Sequence, residues 1–279
     1  MNSKYDITIA IVIYNPHREE LRKTIESVLK CTLNIHLYLI DNSPEVSDFS
    51  DILDDSRVEY IYLNTNRGFG AGHNSIMKQE NKLGKYHLVL NPDVSFGEGV
   101  LEQIFSYMEE HREVGCLMPK VVFPDGQMQY LAKMLPRPID YFVRMFCPIK
   151  SIKDKFNYNF EMHFLDYTKI INAPYLSGCF MFLRSSVIKE IGVFDEGIFM
   201  YGEDTDLTRR IFQKYKTIYY PYTMITHNYE GASHRNFKLL IVHIKAVVYY
   251  MNKWGWFFDI ERKRINKGLK SLGTKSEDK

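Results

Sequence analysis

The N-terminal third of the chain alternates short, continuous apolar runs with amphipathic segments, and this alternation constrains the fold more than any other feature. The runs Ile7–Tyr14, Ile35–Asp41 and Tyr86–Asn91 are rich in β-branched residues and lack the polar alternation of half-exposed strands. A helical pattern spans His17–Lys30, and Val58–Leu63 gives a further strand. Strand and helix in alternation predict an α/β domain with a largely parallel central sheet.

Composition places the chain among ordinary globular proteins. Of its 279 residues, 45% are hydrophobic and 25% are charged, values that argue against a disordered, collagen-like or membrane-spanning class. The formal net charge of +2 gives no general electrostatic case for nucleic acid binding. The four cysteines lie far apart without a C-x-x-C pair, which fits a reducing cytosol better than a zinc site or a disulfide framework. The first residues lack the apolar segment of a secretory signal, so a cytoplasmic location is expected.

The second half of the chain is less regular. The Pro-Asp-Gly sequence at 124–126 predicts a hairpin turn, and Leu135–Lys169 shows little periodicity and is expected to be an irregular excursion. A helix is predicted over Glu203–Lys214 and a strand over Thr217–Tyr220. The last apolar and aromatic stretch, Asn236–Lys270, is predicted to be helical.

Polar residues directly after the apolar runs are the first candidates for a ligand site. In open α/β sheets, ligands bind beyond the carboxyl ends of the strands. These positions are Tyr14 and Asn15 after the first strand, Asp41 and Asn42 after the second, Asn66 and Arg67 after the third, and Asn91, Pro92 and Asp93 after the fourth.

The glycine-rich segment NRGFGAGHN at 66–74 allows two interpretations. Its glycines Gly68, Gly70 and Gly72 let a backbone approach a ligand closely before a helix begins, or they serve tight packing alone. A dinucleotide fingerprint is disfavoured, because that motif belongs to the first strand-to-helix turn and ends in G-x-x-G.

Several acidic and histidine side chains could carry chemistry. Asp93, turned out at the sheet edge by Pro92, suits a hard divalent cation bound to a diphosphate, and a turn Asp that caps the next helix is the alternative. Asp204, within GEDTD, is either a general base held at a helix start or part of a structural cap. His227 would complete a mixed carboxylate and imidazole site beside Asp93, or it is a hydrogen-bonded structural histidine. His234 is a weaker candidate.

Taken together, these motifs resemble inverting glycosyltransferases of family 2, and most of all their rhamnosyltransferase branch. The resemblance rests on the order VIYNP, LIDNS, NRGFGAGHN, LNPDV, the long IGVFDEGIFMYGEDTDL block and HNYEGASH, and it covers residues 7–235. It implies the GT-A fold, with a Rossmann-like, mostly parallel sheet flanked by helices. It also implies a nucleotide-sugar half over 1–118, an acceptor half over 119–235 and a helical extension over 236–279.

The resemblance assigns roles to individual residues. Asp204 matches the catalytic base, Asp93 the last acid of the family's D-x-D metal motif, and His227 the downstream metal-binding histidine, with Mn²⁺ or Mg²⁺ as the ion. Asn91 departs from the pattern, which has Asp at this position, and so puts the strength of metal binding in question. The implied contacts to the nucleotide sugar are Tyr14, Asn15, Asp41, Arg67, Gly68, Asn91 and Asp93.

The reaction that the resemblance implies moves a sugar from a nucleotide-sugar donor to a hydroxyl of a saccharide or lipid-linked saccharide in cell-surface polysaccharide synthesis. The rhamnosyltransferase branch implies dTDP-L-rhamnose as donor. A UDP-hexose or UDP-N-acetylhexosamine donor and a non-catalytic nucleotide-sugar-binding relative are the alternatives. The acceptor is expected beside Tyr201, Gly202 and Glu203 and the segment Leu135–Lys169.

The C-terminal extension allows two interpretations. Five apolar residues fall on one helical face and are followed by aromatic and then basic residues, a composition typical of an interfacial helix on an anionic leaflet. Peripheral contact with the inner face of the cell membrane is therefore one expectation, and a helix that closes the core or forms a dimer contact is the other. No transmembrane helix is predicted, because charged residues interrupt the most apolar late segment. The five residues are Leu240, Ile244, Val247, Val248 and Met251.

Overall fold

A computed structural model describes residues 3–46, 48–49, 54–228 and 237–274, and these residues form one large mixed sheet flanked by helices. The strands are β1 (Ile7–Ile13), β2 (Ile35–Asp41), β3 (Val58–Tyr62), β4 (Tyr86–Leu90), β5 (Val94–Phe96), β6 (Val114–Val122), β7 (Ala132–Lys133), β8 (Ile171–Asn172), β9 (Tyr175–Leu176), β10 (Phe180–Arg184) and β11 (Lys216–His227). The α-helices are α1 (Arg18–Leu29), α2 (Phe69–Met77), α3 (Val100–Glu110), α4 (Pro138–Phe146), α5 (Lys150–Phe160), α6 (Ser185–Ile191), α7 (Glu203–Phe212), α8 (Phe237–Trp254) and α9 (Ile260–Thr274).

The sheet is parallel over its N-terminal strands and mixed beyond them. Its order is β3-β2-β1-β4-β10-β6-β11-β5, with β8 paired to β11. β1 runs parallel to β2 and β4, and β2 runs parallel to β3, so the carboxyl ends of these four strands lie along one edge. β10 is inserted antiparallel between β4 and β6. The predicted α/β class and mostly parallel central sheet are confirmed.

The N-terminal strands follow the predicted segments closely. Every residue of β1 and of β4 is buried, which is why these segments are continuous apolar runs rather than alternating ones. The predicted helix over His17–Lys30 is α1, whose buried residues Leu21, Ile25 and Val28 face the core. The observed bounds of these five elements differ from the predicted ones by no more than one residue at any end, within the fraying of helix and strand ends.

The prediction of an irregular excursion over Leu135–Lys169 is wrong, because this segment contains the helices α4 and α5. α4 begins with Pro138 in its first turn, and the backbone N–H of Arg137 donates to the Asp140 carboxylate at 2.8 Å. Its apolar residues divide between two faces: Val143 is buried, whereas Phe142 is exposed. The helix is amphipathic, but its pattern extends over only nine residues and is easily overlooked in the sequence.

The predicted short strand over Thr217–Tyr220 belongs to the longer strand β11, which continues to His227. A register shift against β6 between Tyr220 and Met224 accommodates Pro221, which cannot donate to the ladder. The far end of β11 then pairs antiparallel with β5. This pairing carries His227 to the sheet edge at which β4 ends.

The C-terminal stretch is helical as predicted, and it forms two helices rather than one. Val247, Tyr250 and Met251 of α8 are buried, whereas Ile244 and Val248 of the same predicted stripe are exposed. The helix therefore buries part of its apolar stripe in a small cluster with Tyr141 and Met145 of α4 and leaves the rest exposed. In the described ranges, no helix combines the length and apolarity needed to cross a bilayer.

The predicted boundaries of the acceptor half and the extension stay predictions, because the chain at 229–236 lies outside the described residues. His234 and most of the HNYEGASH motif lie there as well. The boundary predicted at 118 falls inside β6.

A buried cation ties the extension to the rest of the protein. The Arg209 side chain on α7 is 1% exposed and makes a bidentate pair with Asp259 at 2.7 and 2.9 Å. It also pairs with Glu261 and lies 4.0 Å from the Trp254 ring centroid. Breaking a buried pair typically costs about 3–5 kcal/mol, because one charge is left uncompensated. Removal of α8 and α9 would therefore destabilise α7 itself.

Candidate active site

Strand pairing brings His227 and Asp93 together at the carboxyl edge of the sheet. His227, the last residue of β11, is in register with Val94 of β5, and Asp93 immediately precedes Val94. The backbone N–H of Asn228 donates to the Asp93 carbonyl at 3.0 Å. The Nε2 atom of His227 lies 3.4 Å from Asp93 Oδ1, farther than in a usual N–H···O hydrogen bond.

The side-chain amide of Gln129 holds the His227 ring in one orientation. Gln129 Nε2 donates to the His227 carbonyl at 2.7 Å, and Gln129 Oε1 lies 3.0 Å from His227 Nδ1. An amide oxygen can only accept, so Nδ1 carries the hydrogen, and in the neutral ring Nε2 carries the lone pair. The buried Gln129 therefore directs the Nε2 lone pair of His227 towards Asp93.

The Asp93 and His227 pair has the donor chemistry of a metal site completed by a ligand. Carboxylate and imidazole together suit Mn²⁺ and related cations. The part of the chain that the structure describes contains no cluster of three or more His, Cys, Asp and Glu side chains able to hold a metal. The protein thus offers two ligands, and phosphate and water oxygens would supply the others, as is common for Mg²⁺-type sites.

Asp204 lies in the first turn of α7, directly after two residues with unusual backbone geometry. Tyr201 has φ 75° and Gly202 has φ 140°, conformations that cost an aromatic residue free energy and that glycine tolerates. Asp204 Oδ2 accepts from the Gly178 N–H at 2.9 Å, and Oδ1 accepts from the Thr205 N–H at 2.7 Å. The carboxylate is thereby fixed at the rim of a cavity.

Burial sets the protonation of the two acids at the start of α7. The pKa of Glu203 is raised to about 8 by burial and then by the charge of Asp204, so Glu203 is mostly protonated at neutral pH. Burial also raises the pKa of Asp204. The N–H groups of Gly178 and Thr205 and the charge of Lys133 act in the opposite direction and favour the ionised form. One proton on Glu203 thus lets Asp204 keep its charge.

The cavity below Asp204 has a volume of about 510 Å³, within the usual range of small-molecule sites. Its lining includes several Phe and Tyr rings. Its polar groups come from the hairpin after β6, β7, α4, the start of α7, the end of β11 and α8, among other segments. The predicted site residues that line it are Asn91, Tyr201, Gly202, Glu203, Asp204 and His227.

The predicted nucleoside contacts lie along the same sheet edge, outside this cavity. Tyr14, Asn15 and Arg67 are exposed. Asp41 is buried at the end of β2, where its carboxylate accepts from the Ser43 N–H at 2.7 Å and from the Tyr60 hydroxyl at 2.7 Å. The exposed polar groups at this edge thus follow β1 and β3, whereas the Asp41 carboxylate is buried and already has two donors, and its contact with a nucleoside stays a prediction.

Close packing accounts for two glycines of the segment at 66–74. Gly68 has φ 87°, and a Cβ at this position would lie 2.2 Å from the Phe199 carbonyl oxygen. A Cβ at Gly72 would lie 2.8 Å from a methyl group of Val12. The structure thus shows the packing role of these glycines, and the ligand role of Gly68 stays a prediction.

Several polar residues of the site were not singled out in the sequence. Gln129 and Lys133 follow the Pro-Asp-Gly turn, where nothing local marks them, and Arg144 lies in the segment predicted to be irregular. His243 comes from α8. The amphipathic pattern of α4 was the one signal that could have identified Arg144, because Tyr141 and Arg144 are spaced to share a helix face.

The mixed sheet, the site at its carboxyl edge and the acid at the start of α7 define a GT-A type glycosyltransferase fold. The structure of GalNAc-T7 with UDP, GalNAc and Mn²⁺ superposes with a TM-score of 0.60 at 17% identity, over 81% of this chain and 43% of that one. The family model of glycosyl transferase family 2 matches residues 8–192, and the chain belongs to this family.

Two curated relatives are rhamnosyltransferases. The chain is 23% identical over 189 residues to the N-acetylglucosaminyl-diphospho-decaprenol L-rhamnosyltransferase of Mycobacterium tuberculosis, covering 64% of this chain. The matched part spans 61% of the length of that relative. The chain is 24% identical over 255 residues to the rhamnosyltransferase WbbL of Escherichia coli, covering 86% of this chain and 91% of WbbL.

The raised pKa of Glu203 predicts a pH-dependent effect of the Glu203→Gln substitution. Between the ordinary glutamate pKa of 4.5 and about 8, the folded state holds a proton that the unfolded state releases, so this group's contribution to stability falls as pH rises. Gln cannot ionise. We expect Glu203→Gln to raise the free energy of unfolding relative to wild type more at pH 8 than at pH 5, as measured by urea denaturation. The exposed Glu98→Gln is the matched control, and an equal effect of Glu203→Gln at both pH values would contradict the assignment.

Proposed function

We propose that this protein is an inverting glycosyltransferase that moves L-rhamnose from dTDP-L-rhamnose to a hydroxyl of a saccharide or lipid-linked saccharide acceptor. The observation that carries the proposal is that Asp204 and His227 line one cavity at the carboxyl edge of the sheet, with Asp93 beside His227. The names of the two curated relatives support the choice of rhamnose. The name of the Mycobacterium tuberculosis relative, which specifies an N-acetylglucosaminyl-diphospho-decaprenol, supports a lipid-linked saccharide as acceptor.

Asp204 is the proposed base. As the acceptor oxygen forms its bond to the anomeric carbon, the bond from that carbon to the diphosphate oxygen breaks, and Asp204 takes the hydroxyl proton. The acceptor hydroxyl becomes strongly acidic only as the new bond forms, so a carboxylate is a sufficient base. Attack from the face opposite the leaving diphosphate inverts the anomeric configuration.

The donor lies along the carboxyl edge of β1 to β4 in this proposal. Tyr14, Asn15, Asp41, Arg67 and Gly68 contact the nucleoside half, and the diphosphate lies towards Asn91 and Asp93. Asp93 and His227 would hold Mn²⁺ or Mg²⁺. When bound, such a cation neutralises the charge that develops on the leaving diphosphate. Gln129 keeps the His227 ring oriented for this role.

We predict that Asp204→Asn lowers rhamnosyl transfer by about 10²–10⁴-fold, the usual contribution of a general base, because the amide cannot accept the proton. Transfer is measured from dTDP-rhamnose with a lipid-extract acceptor, and dTDP affinity is measured by calorimetry. The affinity should stay at the wild-type value, since Asp204 is not among the proposed nucleotide contacts. The exposed Asp154→Asn on α5 is the matched control. Near-wild-type turnover of Asp204→Asn would exclude Asp204 as the base.

We also predict that Gln129→Leu weakens Mn²⁺-dependent dTDP binding by about 10–100-fold, the usual effect of removing the partner of a metal-bound histidine. Asp93→Ala should weaken it at least as much. Thermal stabilisation by dTDP with Mn²⁺ and with EDTA measures this, because a ligand at a hundred times its Kd stabilises a protein by about 2.7 kcal/mol. The three proteins should not differ in EDTA. Unchanged affinity of Asp93→Ala in Mn²⁺ would rule out the metal role, and stronger stabilisation by UDP than by dTDP would change the donor.

Peripheral membrane contact is the second part of the proposal. The aromatic residues Phe257 and Phe258, between α8 and α9, are 69% and 89% exposed. A groove beside them contains Lys263, Lys267 and Lys270 of α9. Exposed aromatic side chains next to several cations match the chemistry of an anionic lipid surface.

We predict that the protein co-sediments with phosphatidylglycerol vesicles and not with phosphatidylcholine vesicles. The double substitution Phe257→Ser with Phe258→Ser and the charge reversal Lys267→Glu should each reduce binding. These substitutions are preferable to deletion of the extension, which would leave Arg209 without its buried partners. Lys30→Glu, at an exposed position on α1's C-terminal end, is the matched charge reversal and should not reduce binding. Equal binding by all four proteins would refute the contact.

A further inference from the structure

The cavity also contains two cationic side chains to which the proposed reaction assigns no ligand. Lys133, on β7, is 8% exposed and lines the cavity. Its ammonium group lies 5.6 Å from the Tyr175 ring centroid and 5.9 Å from the Phe160 ring centroid. Among the described residues its side chain has no hydrogen-bond acceptor, so a buried ammonium keeps all its N–H donors available to a ligand.

Arg144, on α4, adds a second unused donor. Its Nη1 atom is buried and donates to no hydrogen-bond acceptor in the described part of the chain. The nearest carboxylate oxygen is Oε1 of Glu161, 3.6 Å from Nη1. The guanidinium also lies 5.0 Å from the Phe160 ring centroid. Burial lowers the pKa of Lys133 to about 8, and the positive charge of the nearby Arg144 contributes to this lowering.

The carboxylates of the same cavity already have donors. Asp204 accepts from the backbone N–H groups of Gly178 and Thr205. Glu161 lies 3.2 Å from Nε2 of His163. These two carboxylates therefore have donors, whereas N–H groups of Lys133 and Arg144 have no hydrogen-bond acceptor in the described part of the chain. Buried polar groups are rarely left without partners, and such donors are satisfied best by the oxygens of an anion.

We propose that Lys133 and Arg144 form a subsite for an anionic group of the acceptor, a phosphate or carboxylate next to the sugar whose hydroxyl faces Asp204. This inference rests on the proposed function, because it takes the cavity to be the acceptor site. The aromatic rings of Tyr141, Phe160 and Tyr175 supply the flat apolar walls against which a sugar packs. With this subsite, an acceptor binds tightly only when it has an anionic group next to the accepting sugar.

The test measures binding rather than turnover. The wild type is saturated with dTDP, so that the donor site is filled, and is then titrated by calorimetry with glucose 1-phosphate, glucuronic acid and methyl glucoside. We expect at least one of the two anionic sugars to bind about tenfold more tightly than the neutral one, the size of one charge-assisted hydrogen bond. A preference for glucose 1-phosphate identifies a phosphate-bearing acceptor, and a preference for glucuronic acid identifies an acidic saccharide.

Substitutions then assign this preference to the two cations. Lys133→Met and Arg144→Gln should each abolish the tenfold difference and leave dTDP affinity unchanged. Lys155→Met, at an exposed position on α5, is the matched control and should preserve the difference. Equal binding of charged and neutral sugars by the wild type, or a preference that survives in both variants, would overturn the subsite.

The dTDP titration separates this inference from the proposed function. If Lys133→Met or Arg144→Gln weakens dTDP binding, the cations belong to the donor site and the acceptor subsite is wrong. If the wild type itself does not bind dTDP but still prefers an anionic sugar, the assigned donor is wrong and the anionic subsite stands.

Discussion

The antiparallel pairing of β10 with β4 is the contact on which the geometry of the site depends. It joins the parallel N-terminal strands to the mixed part of the sheet, with Leu90 opposite Phe180. The pairing extends one step further, where the Asn91 N–H donates to the Cys179 carbonyl at 2.9 Å. The next residue back along the chain, Gly178, donates its N–H to Asp204. These hydrogen bonds fix the end of β4, which leads to Asp93. They also fix Gly178, whose N–H holds the carboxylate of the proposed base.

The fold of the first ninety residues could be predicted well for two reasons. Parallel strands buried on both faces need continuous apolar sequence, and the carboxyl ends of such strands lie on one edge of the sheet. Polar residues such as Asp41 and Asp93 could then be placed at that edge without knowledge of the fold. Gln129 and Lys133 could not be found this way. Their roles depend on contacts between residues far apart in sequence: Gln129 contacts His227, and Lys133 reaches the cavity through the pairing of β7 with β9. α4 was missed because its amphipathic pattern extends over only nine residues.

The three acids at the start of α7 show why a dense acidic motif cannot be interpreted as a unit. Asp204 faces the cavity. Glu203 also lines the cavity, is buried and accepts from the Gly202 N–H at 2.9 Å. Asp206 points to the other side, where it pairs with Arg210 at 2.9 Å and accepts from the Trp254 indole N–H at 2.8 Å. The three acids therefore have different partners, and the proposed base Asp204 is also the acid that accepts a first-turn N–H of α7, that of Thr205.

This division of roles also explains how the site tolerates two adjacent buried acids. Two ionised carboxylates in one buried turn would repel each other strongly, and the burial that raises the pKa of Glu203 removes one of the two charges at neutral pH. The remaining charge, on Asp204, lies at the positive end of the α7 dipole and accepts two backbone N–H groups. Lys133 adds a cation on the cavity side. An anionic acceptor group bound at Lys133 would screen that cation and make Asp204 a stronger base when the acceptor is in place.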